Sequence, residues 1–134
     1  IMIDNINSIK KYAFLNQKQK LTISKILPGP FTVLLNARKT RLSKFVQQNS
    51  KKIGIRIPKN DFCLKLVSEH NNPIITTSVN KHGKKSINDI NLIEKIFFDI
   101  NIYEDNINKN SKGSTIIDFT EAPYKVIRIG EGIF

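Results

Sequence analysis

Cysteine is almost missing from this 134-residue chain, with Cys63 the single example. No intramolecular disulfide can form, and a reducing, cytoplasmic compartment is the expectation. Apolar runs are only a few residues long. None approaches the roughly 20 residues of a membrane span, so no membrane partner is expected. The first residues carry no basic-then-apolar signal pattern. Several chemistry-bearing motifs are absent too. His70 and His82 have no metal-ligand spacing with Cys63 or with each other, so no metal-ligand set is expected. There is no Ser/His/Asp arrangement and no Gly-rich Walker loop. Arginine is scarce, limited to Arg38, Arg41, Arg56 and Arg128.

Acidic side chains number 11 against 22 basic ones, a net charge of +11. Most of the basic residues are lysines, and isoleucine and asparagine are also frequent. AT-rich codons supply all three. The charge is therefore consistent both with a functional basic surface and with codon composition. Attraction to RNA at low salt follows in either case.

Apolar residues make up 40% of the chain, enough for one core, and the length suits one domain over residues 1–134. Strands are predicted at 1–3, 31–37, 53–57, 73–80, 114–119 and 124–129. Helices are predicted just after Asp4-Asn5, at about 17–27, at 42–48, at 61–70 and at 86–98. Pro28-Gly29-Pro30 ends the second helix, since proline cannot continue the hydrogen-bond ladder. The helix at 61–70 sets Phe62, Cys63, Leu66 and Val67 on one side, which makes Cys63 a core residue. Ser86 or Asn88 is the expected cap of the helix at 86–98, and Ile90, Ile93, Ile96 and Phe97 are its stripe. Residues 106–112 read as a polar loop. No internal repeat or linker is visible. The mixture gives an α/β or α+β sheet with helices packed on it; the order of strand pairing does not follow.

The most informative stretch is Pro73-Ile74-Ile75-Thr76-Thr77-Ser78-Val79-Asn80. It reads as a short buried strand whose carboxyl end carries Thr77, Ser78 and Asn80. Ligands of open α/β sheets bind at that end. The loop Lys81-His82-Gly83-Lys84-Lys85 adds positive charge, and a helix start follows. Such a combination suits a phosphate-bearing ligand. Arg56 lies on the opposite face from Ile55 and Ile57 in an alternating strand.

Four further segments complete a pattern. Leu27-Pro28-Gly29-Pro30-Phe31-Thr32-Val33, Ile53-Gly54-Ile55-Arg56-Ile57-Pro58, Gly113-Ser114-Thr115-Ile116-Ile117-Asp118 and Val126-Ile127-Arg128-Ile129-Gly130 flank the Ser78-Val79-Asn80 run in a fixed order. In order and spacing they resemble the threonylcarbamoyl-AMP synthase family, also called the YrdC/TsaC family. The resemblance rests on PGP-x-T, an R-x-P strand, S-x-N with a glycine three residues on, S-T-V-hydrophobic-D and a closing R-x-G. It implies a twisted mixed sheet wrapped, with its helices, around a positively charged cavity. It also implies an activity: L-threonine, bicarbonate and ATP give threonylcarbamoyl-AMP and pyrophosphate. A downstream transferase complex then modifies tRNA. ATP and Mg²⁺ are the implied cofactors. The family's K-x-R motif is expected ahead of the strand that Ile1-Met2-Ile3 resembles. The chain therefore looks like an N-terminally incomplete domain, with catalytic competence expected only when that part is supplied.

The resemblance assigns roles residue by residue. Ser78, Asn80 and Arg56 are the candidate catalytic residues, acting on the phosphates and the carbamate. Thr32, Thr77, Ser78, Asn80, Ser114, Thr115 and Arg128 are the candidate nucleotide-binding residues. Plainer alternatives stand beside these: a capped strand end for Ser78 and Asn80, a β-branched strand start for Ser114 and Thr115, and solvated sheet positions for Arg56 and Arg128. The alternative function is a non-catalytic module for double-stranded RNA or tRNA, with Lys51, Lys52, Lys81, Lys84 and Lys85 as its contacts.

Overall fold

The computed structural model describes residues 1–46, 50–81, 84–103 and 110–134. A 3₁₀ turn at Ile6–Ser8 leads into α1 (Ile9–Tyr12), followed by α2 (Gln17–Ile26), β1 (Phe31–Asn36), β2 (Lys52–Ile55), α3 (Asp61–His70), α4 (Ile90–Ile96), β3 (Thr115–Asp118) and β4 (Lys125–Arg128). Local chemistry accounts for the helix starts. Asn16 and Gln19 form a reciprocal capping box at α2, with both hydrogen bonds 2.8 Å long. Asn60 accepts from the Cys63 amide at α3, and Asp89 accepts from the Leu92 amide at α4. Asn71, at φ 54°, ends α3 in the left-handed conformation that asparagine tolerates.

The strands form one mixed sheet in the order β2-β1-β3-β4. β1 is antiparallel to β2, with Val33 opposite Ile55, and parallel to β3, with Val33 opposite Ile117. β3 is antiparallel to β4, with Ile117 opposite Val126. Period-two alternation divides the faces. Phe31, Val33, Leu35, Ile53, Ile55 and Ile117 lie in the core with Ile9 and Ile23 of the helices. The opposite face carries Thr32, Leu34, Asn36, Gly54 and Ile116.

Five sequence expectations need correction. Residues 1–3 form no strand: Met2 alone bridges Arg56 on one side and Ile74 on the other. Residues 73–80 likewise have no ladder beyond Ile74, and Ile75 is 67% exposed rather than buried. An apolar pair favours extended backbone, but a strand needs a partner, and Ile74 has only Met2. The predicted helix at 42–48 is a 3₁₀ turn at Lys44–Val46, with 47–48 outside the described residues. α4 starts at Ile90 rather than at 86, because Asp89 supplies the cap. On α3, Phe62 and Leu66 are exposed and Cys63 is half-buried. The inward line is instead Leu64 and Val67, one turn apart.

Candidate functional site

The polar face of the sheet forms the floor of an open cleft of about 830 Å³. Across its width lie Arg56, just past the end of β2, Thr32 of β1, Ser114, just ahead of β3, and Arg128 of β4. Strand register produces this row. Thr32 lies opposite Ile116 on the neighbouring strand, and Ile116 lies opposite Arg128. Gly54 lies on the floor between Leu34 and Thr32, where an added Cβ would make only ordinary contacts, at 3.4 and 3.5 Å. The walls come from Phe45 and Val46, from Ile75 to Ser78, from Lys84, Ser86 and Asn88, and from Ser111 to Gly113.

The lining is cationic. Arg56, Lys84, Lys112 and Arg128 contribute, and among the described residues no Asp or Glu lines the cleft. The described ion pairs, Lys52–Asp118 and Lys65–Glu69, involve none of them. Arg56 is anchored through its backbone, donating to Ile1 at 3.0 Å and accepting from Ile3 at 3.1 Å. Its side-chain Nε is buried and has no hydrogen-bond partner. A buried donor left unpaired costs free energy, and no group among the described residues accepts from this one.

Ser114 sits at the other end of the row. Its hydroxyl lies 2.8 Å from the Thr32 hydroxyl. Arg128 donates to the Ser114 carbonyl through Nε at 3.1 Å and Nη2 at 2.7 Å, with Nη2 also 3.2 Å from Ser114 Oγ. Gly113, at φ +71°, turns the chain into this corner, and at that φ glycine is the unstrained choice. Gly130 packs against it so closely that a Cβ would collide with the Gly113 carbonyl and the Ser114 backbone.

The cleft therefore gathers Thr32, Arg56, Thr77, Ser78, Ser114 and Arg128 from among the residues singled out in sequence. Asn80 lies outside its lining but is tied to it. Ser78 Oγ donates to Asn80 Oδ1 at 2.6 Å, and Asn80 Nδ2 donates to the Lys81 carbonyl at 3.0 Å. Thr115 goes the other way. It is 2% exposed, its hydroxyl donates to the Gly132 carbonyl at 2.6 Å, and it accepts from the Gly130 amide at 2.9 Å. Its side chain is committed to the fold, not to the cleft. His82 and Gly83 lie outside the described residues. Lys112, Ser111 and Phe45 were not foreseen; the adjacency of Lys112 to the Gly113-Ser114 motif was the available signal for the first.

At the far end of the same sheet face, Lys52 Nζ reaches across β1 to Asp118 Oδ2 at 2.7 Å. Asp118 Oδ1 accepts from both the amide and the hydroxyl of Thr120, at 2.8 and 2.6 Å. Burial works to raise the Asp118 pKa, but the hydrogen bonds from Lys52 and Thr120 outweigh it and hold the carboxyl below its usual range. A separate cavity of about 40 Å³ beside Asp4, Ser8 and Tyr12 has room for little more than water. Among the described residues no group of three His, Cys, Asp or Glu could hold a metal ion, and no helix is long and apolar enough to cross a membrane.

Comparison with known proteins places this geometry. The family model Sua5_yciO_yrdC, described as "Telomere recombination", matches residues 1–130. A protein of Methanocaldococcus jannaschii named "Putative threonylcarbamoyl-AMP synthase" is 36% identical over 135 residues, covering 99% of this chain and 61% of that protein. The crystal structure of E. coli YciO superposes with a TM-score of 0.86 at 24% identity, over 98% of this chain and 65% of that one. P. abyssi Sua5 complexed with L-threonine superposes with a TM-score of 0.82 at 23% identity, over 96% of this chain and 38% of that one. The chain thus spans between 61% and 65% of the length of the curated relatives it matches, and its fold is the one seen in YciO and Sua5.

Proposed function

The chain belongs to the Sua5/YciO/YrdC family, and from that premise we propose that its cleft binds ATP as the nucleotide-binding part of an L-threonylcarbamoyladenylate synthase. One observation carries the reading: a cleft whose described lining includes Arg56, Lys84, Lys112 and Arg128 and no carboxylate, with the buried Nε of Arg56 unpaired among the described residues. A polyphosphate supplies the anionic acceptors that such a cleft lacks.

In the proposed reaction threonine is first carboxylated by bicarbonate, with loss of water. A carbamate oxygen then attacks the α-phosphorus of ATP. The bond to the bridging oxygen breaks, and pyrophosphate leaves with its electron pair. Charge builds on the phosphate oxygens, so fixed cations and donors lower the barrier. Arg56, Lys84 and Lys112 are assigned to the phosphates. Ser78, whose hydroxyl is joined to Asn80, offers an oxygen contact on the facing wall, and Thr32 and Ser114 form a hydroxyl pair on the floor. Mg²⁺ finds no carboxylate among the described cleft-lining residues. It would enter already held by the phosphates of ATP. The product would pass to a transferase complex that modifies tRNA.

The test is threonine- and bicarbonate-dependent release of pyrophosphate from ATP. It compares this chain with the same chain extended upstream through a K-x-R segment. Activity in the extended protein supports the reading; no activity in either, with the extended protein folded, rejects it. ATP binding by the present chain is the companion measurement.

A second reading is favoured by a separate observation. Residues 5–60 contain no Asp or Glu, although acids are spread over the remainder of the chain. Lys10, Lys11, Arg38, Lys39, Arg41 and Lys51 are all exposed in that stretch, which fits a phosphate backbone. RNA binding that falls steeply with salt and is indifferent to Ser78→Ala would support it.

A further inference from the structure

The resemblance alone would have Arg128 bind the nucleotide. Its hydrogen bonds assign it another task. The guanidinium lies along Ser114, with Nε and Nη2 on the carbonyl at 3.1 and 2.7 Å and Nη2 also 3.2 Å from the hydroxyl. Ser114 Oγ is in turn 2.8 Å from Thr32 Oγ1. The hydroxyl pair is thus held from one side by an arginine that touches the Ser114 hydroxyl through Nη2 and grips the carbonyl of the same residue through Nε and Nη2. The chain after Arg128 strengthens the same corner. The Glu131 amide donates to the Gly113 carbonyl at 2.8 Å, and the Lys112 amide donates to Glu131 Oε1 at 2.6 Å. Arg56, at the opposite end of the row, contrasts with this, since its Nε has no partner among the described residues. The two arginines of the cleft therefore differ in kind. One holds a donor in reserve, and the other has spent two nitrogens inside the protein.

We infer that Arg128 is a positioning residue: it fixes Ser114, and through Ser114 the Thr32 hydroxyl, in the orientation that receives the ligand. This rests on the ATP reading above. It deepens that reading by separating the arginine that would meet phosphate from the one that prepares the floor. A planar fork can grip the carbonyl with two N–H groups while touching the hydroxyl, and a lysine ammonium has no equivalent geometry. Charge alone would not reproduce the role.

Two measurements test this. The first is ATP affinity by titration calorimetry for the wild type, Arg128→Lys, Arg128→Ala, Ser114→Ala and the Arg128→Ala/Ser114→Ala pair. Positioning predicts that R128K loses about as much affinity as R128A, roughly tenfold. It also predicts that the double variant loses no more than Ser114→Ala alone, because both changes remove one coupled unit. If R128K keeps near wild-type affinity, or if the two losses multiply, Arg128 meets the ligand directly and the inference is overturned. The second measurement needs no nucleotide. Amide hydrogen exchange at Lys112 and Glu131 should quicken about tenfold in R128K while the amides of β1 and β2 keep their protection. Unchanged exchange at those two amides overturns the inference. A wild type that fails to bind ATP rejects the functional reading, and the exchange result still judges the role of Arg128.

Discussion

Replacing Thr115 by valine should destabilise the protein without touching the nucleotide floor. Valine matches threonine in shape, so the change removes the hydroxyl and little else. That hydroxyl makes two hydrogen bonds inside the fold, one to the buried Gly132 carbonyl at 2.6 Å and one from the half-buried Gly130 amide at 2.9 Å. A buried acceptor stripped of its partner costs about 1–3 kcal/mol. The Gly130 amide regains some water, so its share is smaller, and the total comes to about 2–4 kcal/mol. For a chain of this size that lowers the melting temperature by roughly 10 °C. Thr115→Ser keeps the hydroxyl and gives up one methyl, so it should cost only about 1 kcal/mol. Urea and thermal unfolding followed by circular dichroism measure both. The reasoning fails if Thr115→Val unfolds within about 0.5 kcal/mol of the wild type. It also fails if that variant unfolds normally but no longer binds ATP, because Thr115 would then act on the ligand as the sequence motif suggests.

Arg56→Ala should weaken ATP binding by about tenfold to a hundredfold, the worth of a charge-assisted hydrogen bond, with little change in unfolding; calorimetric titration and a melt on the same sample decide it. Ser78→Ala removes an exposed hydroxyl whose partner is another exposed side chain, so stability should stay within about 0.5 kcal/mol while ATP affinity falls. Asp118→Asn bears on pH. The folded carboxyl titrates below its unfolded value, so its stabilisation is present above the unfolded pKa and is lost as pH falls through the folded one. The wild type should therefore lose about 1 kcal/mol more than Asp118→Asn on acidification below roughly pH 4, as read from urea midpoints. Lys52 is partly exposed and solvent screens the pair, which limits the size of the effect.

The parts of the fold that local chemistry dictates were legible in the sequence. Pro28-Gly29-Pro30 marked the boundary between α2 and β1, and alternation marked β2. The misreadings came from partners distant in sequence. Ile74 and Ile75 look like a strand until the single pairing with Met2 is known. The true inward line of α3 depends on what packs against it, and a ten-residue helix with apolar residues on two sides leaves that choice open. Thr115 was a different kind of miss. Alternation along Ser114-Thr115-Ile116-Ile117 already sends neighbouring side chains to opposite faces, so only one of the pair Ser114 and Thr115 could face the cleft. The grip of Arg128 on Ser114 and the Lys52–Asp118 pair across β1 both require the strand order, which the pattern did not supply.

The parallel pairing of β1 with β3 has a consequence for how this protein folds. The centre of the sheet joins Phe31–Asn36 to Thr115–Asp118, and the hydroxyls that meet on the cleft floor are 82 residues apart. Closing so long a loop is slow, because chain entropy is lost before any contact compensates for it. Until β3 docks there is no Thr32–Ser114 pair and no Arg128 corner. A ligand of this cleft would therefore recognise only the finished sheet, and it would slow the unfolding of the whole domain together rather than protect one segment of it.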